Sequence, residues 1–222
     1  MSGALVSLLL AYALGCVSFA ALVARLRGID IRAQGSGNPG ATNIGRVLGK
    51  GWGLAVLLLD VAKGLVPVLV MTAPVAELVG HGLPGWLVDP DGRALVAAAA
   101  VLGHIYPVTS AFRGGKGVAT LLGASFGLDP LLALAAVVAH LLIRKFTGYV
   151  SLASVVLVWL LPVLQLVGRG LGWDGRFLDG TVVLGGLALV ITLRHRDNFR
   201  RIRAGTEDKY DESNEEAQAR TV

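Results

Sequence analysis

Three polar clusters interrupt an otherwise apolar chain, and their residue types suit the handling of phosphate. The first is AQGSGNPGATNIGR, residues 33 to 46. Its Gly35-x-Gly37-x-x-Gly40 spacing matches a dinucleotide-binding loop, but such a loop follows a buried strand and precedes, by about twenty residues, an acid for the ribose hydroxyl. Here a polar, basic LRGIDIRAQ comes before and a long apolar run comes after, so the context excludes that reading. The same residues read as a helix start, with Asn38 as cap and Pro39 in the first turn. Free backbone N–H groups beside Ser36 and Thr42 then suit an anion. The second cluster, FRGGKGVAT, surrounds Lys116 with Gly114, Gly115 and Gly117. Glycines let successive N–H groups converge on one anion, and lysine adds a full positive charge. It is not a Walker loop, since the leading glycine and the Ser or Thr after lysine are missing; the competing reading is a basic turn at the lipid headgroups. The third, RHRDNFRRIRAGTE, begins at Arg194. On a continuous helix His195, Asn198 and Ile202 share one face, with Arg196 and Arg200 on another. A proton acceptor and a directional amide then point one way, and the arginines serve the ordinary topological signal.

Other chemistries lack their residues. Cys16 is alone within an apolar run and reads as a small packing residue. The four histidines have no metal spacing, and His81 and His140 take no role; no metal or cofactor is expected. Gly123-Ala-Ser125-Phe-Gly127 matches a hydrolase nucleophile elbow, which works only on a strained strand-to-helix turn. It lies in an apolar segment, where Gly123 and Gly127 have the spacing that lets membrane helices approach closely.

The elements that position these clusters follow from composition. The chain has 54% hydrophobic and 16% charged residues with a mean hydropathy of +0.67, which marks an integral membrane protein. Ala4–Ala24 is uncharged over 21 residues and meets the ~20 needed to cross the hydrocarbon core. It begins MSG, without the basic flank of a signal peptide, and reads as a retained span. Further apolar runs are Leu54–Met71, Ala94–Phe112, Val118–Leu128, Leu131–Ile143, Tyr149–Val167 and Thr181–Leu193. The expected fold is an all-α bundle of about seven membrane helices, or five spans plus a re-entrant pair where Asp129-Pro130 separates two short runs. Loops 25–50, 113–116 and 144–148 and segment 194–203 hold fourteen of the twenty Lys and Arg residues, against three in the alternate loops 72–93, 129–130 and 168–180. The amino terminus is therefore expected outside and the carboxyl terminus in the cytoplasm, with every polar cluster on the cytoplasmic side. This bias explains the basic pI, so nucleic acid is not an expected partner. Residues 1–208 form the membrane domain, and the acidic 209–222 reads as a disordered tail. Asp60 and Lys63, three residues apart in the second span, read as an ion pair facing the bundle; the alternative is that Lys63 extends the cationic basin of the site.

Together GSGNPGATNIGRVLGK, LGHIYPVTSAFRGGKGVAT, TGYVSLASV and HRDNFRRIRAGTE resemble the successive motifs of the bacterial acyl-phosphate:glycerol-3-phosphate acyltransferase family. The resemblance covers about residues 1–208, with Arg113 where the family often has Lys, Gly148 where a basic residue is expected, and an extra acidic tail. It implies transfer of a fatty acyl group from acyl phosphate to glycerol 3-phosphate, giving lysophosphatidic acid and inorganic phosphate, the first acylation of phospholipid synthesis. Implied too are a multi-pass site in the bacterial cytoplasmic membrane, contact with membrane lipid, and a functional link to the enzyme that makes acyl phosphate. Ser36, Asn38, Thr42, Asn43 and Arg46 would hold the acyl phosphate and its leaving phosphate. Lys116 with Gly114, Gly115 and Gly117 would hold glycerol 3-phosphate, and His195 and Asn198 would orient the hydroxyl, with His195 or a substrate phosphate as base. His104 matches a family position with a helix-packing role, and Glu207 reads as structural, pairing with a nearby arginine. The reading kept against it is a membrane transporter of a small phosphorylated anion.

Overall fold

A computed structural model of the chain describes residues 3–70, 90–170 and 178–210. His81 and the acidic residues 211–222 lie outside them. Ten α-helices carry these residues, and no strand occurs among them: α1 Gly3–Gly15, α2 Phe19–Leu26, α3 Ala41–Leu48, α4 Lys50–Val70, α5 Pro90–Ile105, α6 Val118–Leu128, α7 Pro130–Thr147, α8 Val150–Gly170, α9 Leu178–Arg194 and α10 Arg196–Arg203. Short 3-10 turns lie at Ile31–Ala33 and Val108–Ser110.

Five helical stretches among the described residues are long and apolar enough to cross a membrane: Leu5–Leu26, Lys50–Val70, Gly92–Ser110, Pro130–Thr147 and Val150–Gly168. Val118–Leu128 and Gly180–Arg194 are shorter apolar helices. At 11 residues, α6 rises only about 16 Å. It tolerates this because most of it is packed inside protein, chiefly against α4. The contact is backbone on backbone: a Cβ on Gly123 would fall on the Val61 carbonyl, and one on Gly64 would fall on the Thr120 carbonyl. Ser125 is buried there and donates back to Leu121 O at 2.8 Å, a packing use and not that of a nucleophile. Gly15 lies against Ala100 and Gly103 against Tyr12 in the same manner, joining α1 to α5. Arg93 at the start of α5 donates to the Gly127 carbonyl near the end of α6, so the two helices run antiparallel over nearly their whole length.

The first apolar run differs from a single uninterrupted helix. It breaks at Cys16–Ser18, where Ser18 caps α2 by accepting from Ala21 N–H at 3.3 Å. Cys16 is buried at the break. The carbonyls freed there are not left unpaired: Cys16 O accepts from Thr109 Oγ1 at 3.3 Å and Val17 O accepts from Lys63 Nζ at 2.7 Å.

Candidate active site

The first cluster forms a loop and the short helix α3. The helix starts at Ala41 with Gly40 in the cap position, so the expectation of an Asn38 cap is corrected. Gly40 N–H donates to Asn38 O at 2.9 Å, a tight turn that leaves Pro39 outside the helix. Asn38 instead folds its side-chain amide over Gly40, 2.8 Å from where a Cβ would sit. The first-turn N–H groups belong to Ala41 and Thr42, and helix geometry leaves them without intrahelical partners. Thr42 and Arg46, four residues apart, share the exposed face. Asn43 points the other way and is buried. Its Oδ1 accepts from Ser36 N–H at 2.9 Å, and its amide donates to Gln34 O at 3.0 Å and to Ile31 O at 3.4 Å. With its amide spent on the loop, Asn43 is a brace for Ser36 and not the direct ligand expected. Ser36 itself is exposed.

The second cluster also behaves differently from a nest of free N–H groups. Gly114 N–H donates to Ile105 O and Gly115 N–H to His104 O, each at 3.1 Å, so these two donors satisfy the open carbonyls at the end of α5. The glycines are needed for close approach: a Cβ on Gly114 would fall on the His104 carbonyl, and one on Gly115 on the His104 ring. Gly117, at φ 90, adopts the left-handed conformation and starts α6. Two backbone carbonyls of the loop are tied to neighbouring clusters, Arg113 O accepting from Arg32 at 2.7 Å and Gly114 O from Arg194 at 3.2 Å.

In the third cluster the helix is interrupted at His195, at φ −98 and ψ 2, instead of running on from α9. The expected faces survive the break. His195 and Asn198 are buried, and the side chains of Arg196 and Arg200 are exposed.

These pieces converge on Lys116. Its Nζ donates to Asn198 Oδ1 at 2.5 Å, and Asn198 Nδ2 donates to Glu207 Oε1 at 2.6 Å. The Glu207 carboxylate, 5% exposed, also accepts from Ser151 Oγ at 2.9 Å and Arg201 Nε at 2.7 Å. Glu207 has the arginine partner expected of it, Arg201. Arg46 pairs with Asp208 at 3.2 Å and is close enough to act electrostatically on Lys116. His195 Nδ1 lies 2.8 Å from Ile191 O. A carbonyl only accepts, so Nδ1 carries the hydrogen and Nε2 is left as an acceptor.

The electrostatics follow from burial and charge. Burial lowers the Lys116 ammonium to about 8, with Arg201, Arg46 and Arg194 acting in the same direction and Glu207 against them. Burial, then Lys116, lowers His195 to about 4, so its imidazole is neutral at physiological pH. Burial alone would raise Glu207, but hydrogen bonds from Asn198, Ser151 and Arg201 outweigh it and hold the carboxyl below its ordinary value. Arg46, Arg194, Lys116 and Arg201 face Glu207 and Asp208, an excess of positive charge suited to phosphate.

A family model for glycerol-3-phosphate acyltransferase matches residues 5–205. The chain belongs to the glycerol-3-phosphate acyltransferase family. Relatives with that description include proteins of Geobacter sulfurreducens, 42% identical with 90% of this chain and 94% of the other aligned, and Albidiferax ferrireducens, 41% identical with 92% and 88% aligned. Among solved structures, the fold is similar to PlsY, an integral membrane glycerol 3-phosphate acyltransferase, in its glycerol 3-phosphate form. The TM-score is 0.81 at 35% identity, covering 95% of this chain and 96% of that one. The lysophosphatidic acid form of PlsY gives 0.77 at 35% identity.

As a member of the acyltransferase family the chain is an acyltransferase, which displaces the transporter reading. The structure brings Arg46, Lys116, His195 and Asn198 together, with Thr42 on the same exposed face of its helix as Arg46, and Ser36 exposed and Asn38 half-buried in the loop before it. Three residues without an expected role join the centre: Ser151, Arg194 and Arg201. Ser151 lies in the quoted TGYVSLASV stretch, and a serine starting a span beside three other clusters was the signal available. The arginines have no local signal, because basic residues after a span are ordinary.

Proposed function

We propose that this acyltransferase takes its acyl group from an acyl phosphate and transfers it to glycerol 3-phosphate at the cytoplasmic face of a bacterial membrane, giving lysophosphatidic acid and inorganic phosphate. The observation that carries the reading is the Lys116–Asn198–Glu207 chain, flanked by His195 and Arg46. It offers cations for two phosphates, and the buried hydroxyl that meets it, Ser151, donates to a Glu207 carboxylate held below its ordinary value by three hydrogen bonds, too weak a base to prime a nucleophile. A mixed anhydride donor is already activated and requires no covalent intermediate. The acceptor hydroxyl attacks the acyl carbon, the carbon–oxygen bond of the anhydride breaks, and phosphate leaves. Positioning of this kind is worth up to roughly 7–11 kcal/mol in favourable systems.

Ser36, Asn38, Thr42 and Arg46 bind the acyl phosphate and its leaving group, with Asn43 bracing their loop. Lys116, on the Gly114–Gly117 loop, binds the phosphate of glycerol 3-phosphate. Asn198 retains one amide hydrogen, beyond the bond to Glu207, for the acceptor hydroxyl, and His195 Nε2 accepts from the same hydroxyl. A group at about 4 is a weak base, whereas a phosphate monoester has its second pKa near ~6. The proton therefore ends on phosphate, with His195 orienting the hydroxyl. The PlsY forms named for glycerol 3-phosphate and lysophosphatidic acid support this acceptor and product.

The test incubates purified protein with labelled glycerol 3-phosphate and, separately, acyl phosphate, acyl-CoA and acyl carrier protein. Labelled lysophosphatidic acid is expected from acyl phosphate alone. Activity only with a thioester overturns the donor assignment.

A further inference from the structure

Beneath the glycine loop lie three ionisable side chains that the reaction leaves unused. Asp60 and Lys63 in α4 are paired at 2.8 Å, their side chains 3% and 1% exposed. This is the ion pair expected from their spacing. Lys63 is also held by Val17 O at 2.7 Å, the carbonyl released by the break between α1 and α2, and stands 5.6 Å from the centre of the Phe19 ring. These partners account for Lys63 without the site. The third member is His104 in α5, buried, with Nδ1 3.6 Å from Asp60 Oδ1. Its opposite nitrogen, Nε2, meets the loop: a Cβ on Gly115 would fall on it.

Such a group is expensive to keep. An apolar cluster of similar volume is often neutral or more stable than a buried ion pair, and ionisable residues inside a membrane usually have a function. The geometry supplies one. Lys63 lies 2.8 Å from Asp60 and supplies the countercharge that a buried carboxyl group needs. The Nδ1 edge of the imidazole faces Asp60 at 3.6 Å, an electrostatic contact longer than a hydrogen bond, and the Nε2 edge faces Gly115. The loop is thus seated twice on α5, through the carbonyls of His104 and Ile105 and through the imidazole against Gly115. The next residue is Lys116.

We propose that His104, oriented by Asp60, is a positioning residue for the acyl-transfer reaction: it sets the height of the 114–117 loop and thereby places the Lys116 ammonium for the phosphate of the acceptor. The inference rests on the proposed function for its substrate. Displacing a binding group by about 1 Å can cost on the order of 10²-fold in rate, so a support lying behind the loop can matter as much as a contact.

The test compares wild type with His104→Ala, His104→Gln, His104→Asn, Lys116→Ala and the double variant His104→Ala/Lys116→Ala, each checked by thermal unfolding in detergent. Glutamine carries an amide to the Nε2 position and keeps the seat under Gly115, whereas asparagine reaches only the Nδ1 position facing Asp60. His104→Ala and His104→Asn are expected to raise KM for glycerol 3-phosphate by roughly tenfold, within the range that misplacement produces, with a smaller change in kcat, and His104→Gln to restore most of the loss. The double variant is expected to match Lys116→Ala alone, because His104 acts through Lys116. A second readout needs no turnover: amine-reagent labelling of Lys116 against pH, half-maximal near about 8 in wild type, should move to higher pH in His104→Ala as the ammonium leaves its buried seat.

Unchanged KM and labelling in His104→Ala, additive losses in the double variant, or rescue by asparagine but not glutamine would each overturn the inference. If the alanine variant does not fold, the order of glutamine and asparagine decides. A wild type that makes no lysophosphatidic acid from any donor overturns the proposed function instead, and the labelling profile then decides the inference alone.

Discussion

Opposing influences meet on Lys116. Burial and three guanidinium groups disfavour its charge, Glu207 and the short bond to Asn198 favour it, and the balance leaves it about half charged near pH 8. Its ammonium is present below about 8 and lost above, so kcat/KM for glycerol 3-phosphate should fall as pH rises through that region in the free enzyme. Bound phosphate favours the ammonium, so kcat should stay level over the same range; stopped assays between pH 6.5 and 9.5 test this. Substitution should divide the two central residues similarly. Lys116→Ala removes binding common to ground and transition states and should raise KM for glycerol 3-phosphate with a smaller change in kcat. His195→Ala removes the hydroxyl acceptor and should lower kcat by about 10–10²-fold. That is below the ~10²–10⁴ of a full general base, because phosphate takes the proton. Steady-state kinetics with acyl phosphate saturating distinguish the cases, and near wild-type kcat would remove His195 from the mechanism.

At the scale of elements, the site depends on helices that stop in the right place and on others that touch without side chains between them. α9 ends at Arg194, so His195 turns inward at the head of α10. α6 begins at Gly117 directly after Lys116, and its packing on α4 fixes where that start lies. The α4–α6 contact is vulnerable at Gly123, where a methyl group would meet the Val61 carbonyl. Gly185 in α9 has nothing within 4 Å of an added Cβ. Gly→Ala in a helix normally gains about 1 kcal/mol of propensity, whereas forced overpacking costs roughly 1–3 kcal/mol or more. Gly123→Ala should therefore lower the unfolding temperature in detergent and Gly185→Ala should hold or raise it. Equal effects would show that the close α4–α6 approach does not limit stability.

For the whole molecule, orientation is the claim that links the site to cytoplasmic substrates. The amino terminus is proposed outside and the clusters inside, on the asymmetry of Lys and Arg between alternate loops. In a Cys16→Ala background, a cysteine replacing exposed Ala33 should be protected from a membrane-impermeant thiol reagent in intact cells, and one at Asp89, outside the described residues, should be labelled. The reverse pattern would put the site outside. The chain stays on the bundle after α10: Tyr210 N–H donates to Gly148 O at 2.7 Å and the Tyr210 ring lies 4.2 Å from the Arg144 guanidinium. Asp208 in this segment pairs with Arg46 of the cationic centre at 3.2 Å.

Much of this was legible from residues alone, because hydropathy, helical periodicity and charge bias act over short stretches. They suffice for an all-helical membrane bundle, for the Asp60–Lys63 pair, for the packing use of Ser125 and for an inward face containing His195 and Asn198. Local pattern does not state which acceptor a donor will meet. The N–H groups of Gly114 and Gly115 looked available to an anion until α5 returned its carbonyls beside them, and Asn43 looked like a ligand until the 31–36 loop folded over it. Ser151 and Arg201 reach Glu207, and Lys63 reaches Val17, only because helices distant in the chain pack together. Burial then made the chemistry: exposed Lys116 and His195 would be an ordinary ammonium and imidazole, and their enclosure in the tertiary structure, beside each other and among the arginines, is what turns one toward about 8 and the other toward about 4.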